Sequence, residues 1–285
     1  MKKIALLSMD VEEWYHLDYI TQRESDFSMM DGLDCFLELA GKRGVPTTLF
    51  ILTGLLKNIR DKLALAVRSG HEISLHGTEH KRPLQMTLQE FENDCFEGVQ
   101  AIKDELGIVP AGYRASCFSL DRDRLNILKD KIGVEYDSSR INFDNHPLYG
   151  SIDMCGFEKK SECLYTSANF SEFEMPTVNI LGKKLPISGG GYLRIFPWWF
   201  LSVLIKRYIR KHDLFSVYIH PFEMSCKTPP NVSELDNKTN FRFKYNIKSV
   251  PSKMEKLIEL LKSEGYEFMT YKQAHEYFSA SEKEL

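Results

Sequence analysis

No stretch of this 285-residue sequence approaches the ~18 consecutive apolar residues that a membrane-crossing helix requires, so no membrane span is expected. The two lysines and the short run Ile4 to Leu7 superficially resemble an export signal. Asp10 follows at once, however, without a small-residue cleavage site, and the segment reads as a first buried strand. Cysteine is sparse and unpatterned. The six cysteines, at 35, 95, 117, 155, 163 and 226, show no Cys-x-x-Cys spacing. Free thiols in a reducing cytoplasm are therefore expected, and a disulfide framework is not. Charge of one sign is also lacking: 37 Lys and Arg against 40 Asp and Glu leave a net charge of −3. That balance gives no case for nucleic acid or an anionic membrane surface. The basic run "IKRYIRKH", 205 to 212, reads as the solvated face of a helix, with an anion or lipid-phosphate site as the alternative.

What is present is an ordinary globular composition, 43% hydrophobic and 27% charged, at a length that one α/β barrel can use as a single unit. Over the first 135 residues, strand-like and helix-like segments alternate. "KIALLSMDV", "PTTLFIL" and "HEISLH" read as strands. "MMDGLDCFLELAGKRG", with Leu33, Phe36, Leu37 and Ala40 on one face, and "LQEFENDCFEGVQAIKDELG" read as helices closed by glycine. Such alternation predicts parallel strands covered by helices. Between about 140 and 190 the pattern breaks into loops and short β segments, read as an insertion in one domain spanning 1–285. Helix "WWFLSVLIKRYIRKH" and strand "LFSVYIH" then restore the alternation. A polar loop, "SCKTPPNVSELDNKTN", precedes a last helix and strand, "SKMEKLIELLKSEG" and "YEFMTY".

In parallel α/β architectures the C-terminal ends of strands converge on one face, where sites are built. The ends expected here carry Asp10 with Glu12, His76 with His80, Arg114, and His220. A carboxylate and two imidazoles suit Zn²⁺ or another divalent metal with an open position for water. Alternating strand geometry puts Asp10 and Glu12 on the same side, with Val11 pointing away. Glu13, the competing carboxylate, is expected to be solvated. His71 reads as a capping or packing residue at a strand start, and Cys117 as an inert thiol.

The stretches "SMDVEEWYH", "GHEISLHGTEH", "GYRASCFSL", "EYDSSR", "LPISGGGYLRIFP", "YIHPFE" and "FRFKYN" occur in the order seen in polysaccharide deacetylases of the NodB-homology type. The chain resembles most the branch whose first motif reads Asp-Val-Glu-Asp-Trp, over about residues 4 to 272. This resemblance implies a distorted (β/α) barrel of seven or eight strands and metal-dependent removal of an N-acetyl group from an amino sugar. It implies Asp10 as general base, Arg114 as the residue that orients it, and His220 as general acid. It also implies Glu12, His76 and His80 as ligands of one divalent metal, most simply Zn²⁺. Ser116 and Cys117 stand where the family usually has a proline soon after the arginine, so a different loop shape is expected. Gly77 is expected to allow the turn between the histidines. The glycines of "SGGGY", 188 to 192, are expected to let a backbone loop approach a sugar. Trp14, Tyr149 and Tyr192 are expected as sugar-stacking rings. The expected partner is an N-acylated sugar: nucleotide-linked, lipid-linked or part of an oligosaccharide. A deformylase acting on a lipid-linked amino sugar and a non-catalytic glycan-binding barrel are the alternatives.

Overall fold

A computed structural model of the chain describes residues 2–21, 24–143 and 146–283. The first half is a βα series. β1 (Ile4–Val11) is followed by α1 (Asp31–Arg43), β2 (Thr48–Ile51), α2 (Leu56–Arg68) and β3 (Glu72–Leu75). Next come α3 (Leu88–Leu106), β4 (Gly112–Tyr113), α4 (Arg122–Ile127), which runs on to Ile132 as a wider π turn, and β5 (Tyr136–Asp137). Every residue of β1 and β2 is buried, as expected of parallel strands covered on both faces. The helices present one apolar stripe each, Leu33, Phe36 and Ala40 in α1 and Phe91, Cys95 and Ile102 in α3. Thr87 and Glu90 close a reciprocal cap at the start of α3.

The middle carries β6 (Glu158–Ser161), β7 (Leu164–Ser167), β8 (Phe170–Phe173), β9 (Thr177–Ile180) and β10 (Lys183–Pro186). It is only partly an insertion. β8 pairs in parallel with β5 and so continues the barrel series, whereas β6, β7 and the β9–β10 hairpin are antiparallel additions. The chain then forms α5 (Gly190–Ile195), α6 (Trp198–Ile209), β11 (Leu214–Ile219), α7 (Pro221–Met224), α8 (Asn237–Lys244), α9 (Val250–Ser263), β12 (Glu267–Met269) and α10 (Tyr271–Lys283). α8 begins in the last turn of the segment expected to be a polar loop and runs past it, capped by Asp236 on the Thr239 amide. α10 is a further helix that the sequence reading did not anticipate.

The main sheet runs β11-β1-β2-β3-β4-β5-β8-β7-β6, with β12 also paired to β1. The pairings from β11 to β8, and that of β12, are parallel. Between β8 and β11 the curl is closed by single bonds through residues 187 to 189: Ile187 donates to the Pro176 carbonyl and Tyr218 to that of Ser188. The result is the distorted barrel expected. Its interior is filled by Phe50, Tyr136, Phe173 and Tyr271, the last delivered by α10. Among the described residues no helix is long and apolar enough to cross a membrane. All six cysteines are free, although the sulfurs of Cys35 and Cys226 lie 3.7 Å apart.

Candidate active site

The site is assembled from strand ends. Asp10 is the penultimate residue of β1, and Glu12 follows its last. His76 follows β3, Arg114 follows β4 and His220 follows β11. Asp10, Glu12, His76, His80 and His220 all line one cavity of about 170 Å³. Val11 points away into the core. His80 reaches back toward His76 because Gly77 adopts φ 93° and His80 itself φ 56°. Gly77 takes the left-handed region freely, while His80 bears strain there, the kind of outlier that accumulates at functional sites.

Donor atoms of Glu12, His76 and His80 lie within 4.8 Å of one another. The Nε2 atoms of His80 and His76 are 2.6 Å and 3.9 Å from Glu12 Oε2. That oxygen is buried and has no aligned hydrogen-bond partner. His76 meets the Arg114 carbonyl through Nδ1 at 2.7 Å, and burial, outweighing nearby carboxylates, holds its pKa below the usual imidazole value. A neutral imidazole that donates from Nδ1 leaves the Nε2 lone pair for a ligand. An orphaned carboxylate oxygen beside two imidazole nitrogens fits a divalent cation with N and O ligands. Burial alone would raise the Glu12 pKa, yet the three histidines around it, His80 foremost, hold it near about 2.

Arg114 is fully buried, and five hydrogen bonds fix its guanidinium. Nη1 donates to Asp10 Oδ1 at 2.6 Å and to Ser8 Oγ at 2.9 Å. Nε donates to the Ser138 carbonyl, and Nη2 to Ser138 Oγ and the Tyr271 hydroxyl. The Phe50 ring lies 4.0 Å from the guanidinium carbon. Asp10 is thus held in place by a group that cannot itself move. His220 is held from its far side: Nδ1 lies 3.1 Å from Glu223 Oε2, while Nε2 faces Glu12 Oε1 at 3.5 Å. Burial opposes the imidazolium, but the hydrogen bond and charge of Glu223, joined by Glu12 and Asp10, raise its pKa to about 9.

Several expected contacts are corrected. Trp14 is 3% exposed, donates its indole N–H to the Phe27 carbonyl and packs with Phe222 and Phe243, so it is not a sugar platform. A 3₁₀ turn at 14 to 16 directs it into this second, smaller core. Glu13 is buried rather than solvated. Its carboxylate accepts from Ser28 Oγ and the Met29 amide, which removes it as a ligand. Tyr149 does line the cavity, whereas Tyr192 lies behind it, hydrogen-bonded to the Tyr149 hydroxyl. Of the glycines in 188 to 192, Gly189 and Gly190 are required by packing within the protein. A Cβ on Gly190 would lie 1.7 Å from Glu223 Oε2, and one on Gly189 would meet the Tyr218 ring. His71 packs as expected, Nδ1 against Thr47 Oγ1 at 2.9 Å. In the loop after Arg114, Cys117 and Phe118 both adopt positive φ on the cavity wall. Glu223, Ser8, Ser138, Tyr271 and Tyr19 were not singled out from sequence.

Residues 31–136 match the family described as Polysaccharide deacetylase, and residues 138–276 match one described as Domain of unknown function (DUF3473). The chain is 31% identical over 118 residues to the "Peptidoglycan deacetylase" of Helicobacter pylori, covering 41% of this chain and 40% of that protein. It is 26% identical over 113 residues to "Chitin deacetylase 1" of Cryptococcus neoformans, covering 37% of this chain and 24% of that one. The chain therefore spans well under half the length of these curated relatives. In fold it is similar to a putative polysaccharide deacetylase from Mycobacterium smegmatis, with TM-score 0.56 at 16% identity, covering 94% and 93% of the two chains. It is also similar to a CE4 family pseudoenzyme from Bacillus anthracis, with TM-score 0.54 at 14% identity, covering 96% of this chain and 66% of that one.

Proposed function

The chain carries a polysaccharide deacetylase domain, and from that premise we propose that it is a metal-dependent hydrolase removing an N-acetyl group from an amino sugar during the making of a surface glycan. The observation that carries this reading is the convergence of Glu12, His76 and His80 in one cavity with Asp10 and His220. A shared fold would not suffice, since a pseudoenzyme has it too. A barrel that only bound glycan would have no need of this set of groups. The two matched ranges meet at residue 137 within a continuous sheet, and we read them as one catalytic unit.

Glu12, His76 and His80 would hold the metal, most simply Zn²⁺. When bound, such an ion lowers the pKa of water toward ~7 and polarises a carbonyl oxygen. Asp10, fixed by Arg114, takes a proton from water as the water oxygen bonds to the acetamide carbon. His220, fixed through Nδ1 by Glu223, presents Nε2 to the cavity and delivers a proton to the nitrogen as the C–N bond breaks. The products are acetate and a sugar amine. Tyr149 and Phe118 wall the space beside these groups and would position the sugar ring. The test is release of acetate or formate from purified N-acetyl and N-formyl amino sugars presented free, nucleotide-linked, lipid-linked and as oligosaccharides, with and without added Zn²⁺. Acetate from at least one substrate supports the reading. Formate alone would replace it with a deformylase, and release of neither would reject it.

A further inference from the structure

Tyr19 stands between two spaces. On one side it lines the catalytic cavity, and on the other it lines a groove of about 530 Å³ shared with Arg194, Ile195, Phe241, Arg242 and Tyr245. The walls of this groove are apolar in a place where water has access. Phe241 is 63% exposed, Ile195 and Tyr245 are also exposed, and the Phe241 and Tyr245 rings lie 5.3 Å apart. Its charge is positive. Arg194 is anchored by Glu223 at 2.9 Å and by the Phe243 carbonyl. No acid among the described residues pairs with the Arg242 guanidinium, which lines the groove. In the chain after Ile195, α6 leaves Trp199 and Val203, one turn apart, exposed to water, and Lys206, Arg207 and Arg210 follow them.

We infer that this groove is the subsite for the carrier end of the substrate, and that the carrier is a lipid diphosphate. The inference rests on the proposed deacetylase reading and adds the substrate class to it. A guanidinium pairs with phosphate oxygens in a planar, bidentate way, which a neutral oligosaccharide cannot use. Apolar walls beside that charge suit the first isoprene units of a lipid. A nucleoside base would have to be read by the Tyr19 and Tyr245 hydroxyls or the guanidiniums, since the Thr239 hydroxyl already donates to Asp236, and uridine diphosphate is therefore the competing ligand in the test. Exposed Trp199 and Val203 followed by basic residues have the composition of a surface that rests at a bilayer interface. Opening beside Tyr19, the groove sets the diphosphate next to the sugar whose amide is at the metal ligands.

The test is calorimetric titration of the purified protein with farnesyl diphosphate, farnesol and uridine diphosphate, none of which contains an amide. Failure here therefore leaves the deacetylase reading standing. Farnesyl diphosphate is expected to bind at least about tenfold more tightly than either of the others, the scale of a lost charge-assisted contact. Arg242→Gln should remove most of the preference over farnesol, and Arg242→Lys should restore part of it. Phe241→Ser should weaken both farnesyl compounds. Because a metal ion at the histidines would hold diphosphate equally in wild type and Arg242→Gln, their difference reports the arginine. Uridine diphosphate binding as tightly as farnesyl diphosphate, or Arg242→Gln binding it as wild type does, would overturn the inference.

Discussion

At the scale of single residues, Asp10 and His220 are held by opposite means. A buried, fully bonded arginine fixes the first, and a carboxylate raises the charge of the second. These arrangements give separable phenotypes. Asp10→Asn keeps a hydrogen-bonding partner for Arg114 and should fold, yet lose turnover by ~10²-fold or more, equally on a poor and a good leaving amine. His220→Ala should lose most activity on an unactivated acetamide and regain part of it on an activated one, whose nitrogen needs less protonation. Equal losses for His220→Ala on both substrates would return His220 to a structural role. The primary groups were legible in the sequence because each sits at the end of a strand with its own local signature. Their supports were not. Ser8, Ser138 and Tyr271 meet Arg114 from positions up to 157 residues away, and nothing local in the chain marks them. Trp14 misled for a related reason: an aromatic side chain next to a motif does not reveal which way a short turn will rotate it.

At the scale of elements, the βα alternation was readable because buried parallel strands are short apolar runs punctuated by helix caps. β8 was hidden. "FSEF" contains Glu172, a poor signature for a barrel strand, and its environment explains why it is tolerated. Glu172 lies opposite Asp137 on β5, and both are buried. Burial and the charge of Asp137 push Glu172 well above the usual carboxylate range, and burial lifts Asp137 to about 6. One proton shared between two carboxyls joins β8 to β5 and so to the first half of the sheet. Because both folded pKa values are raised, the stabilisation is fully present below the ordinary carboxylate pKa; the share of Asp137 is lost as pH rises through about 6, and that of Glu172 is lost as pH rises through its own raised value. Glu172→Gln removes one titrating group while keeping a donor to Asp137. Its melting temperature relative to wild type should be higher at pH 8 than at pH 5, read by thermal scans at both pH values. A constant difference would mean that no proton is shared.

At the scale of the whole molecule, β12 and α10 return to the start of the chain, and α10 delivers Tyr271 into the barrel to meet Arg114. The candidate groups are therefore joined by long-range contacts: Asp10, which precedes both matched ranges, meets Arg114 in the first, and Arg114 meets Tyr271 in the second. Central to the proposed function is one divalent ion that Glu12, His76 and His80, whose donor atoms converge, would hold, and which would supply the activated water and polarised carbonyl that Asp10 and His220 would serve. The most direct measurement strips the purified protein with a chelator and returns Zn²⁺ stepwise while acetate release from its best N-acetylated sugar is followed. Activity should be absent in the stripped protein, rise in proportion to added metal and level off at one equivalent per chain, with His76→Ala showing no such rise at these concentrations. Full activity in protein shown to be metal-free, or a His76→Ala titration indistinguishable from wild type, would contradict the account.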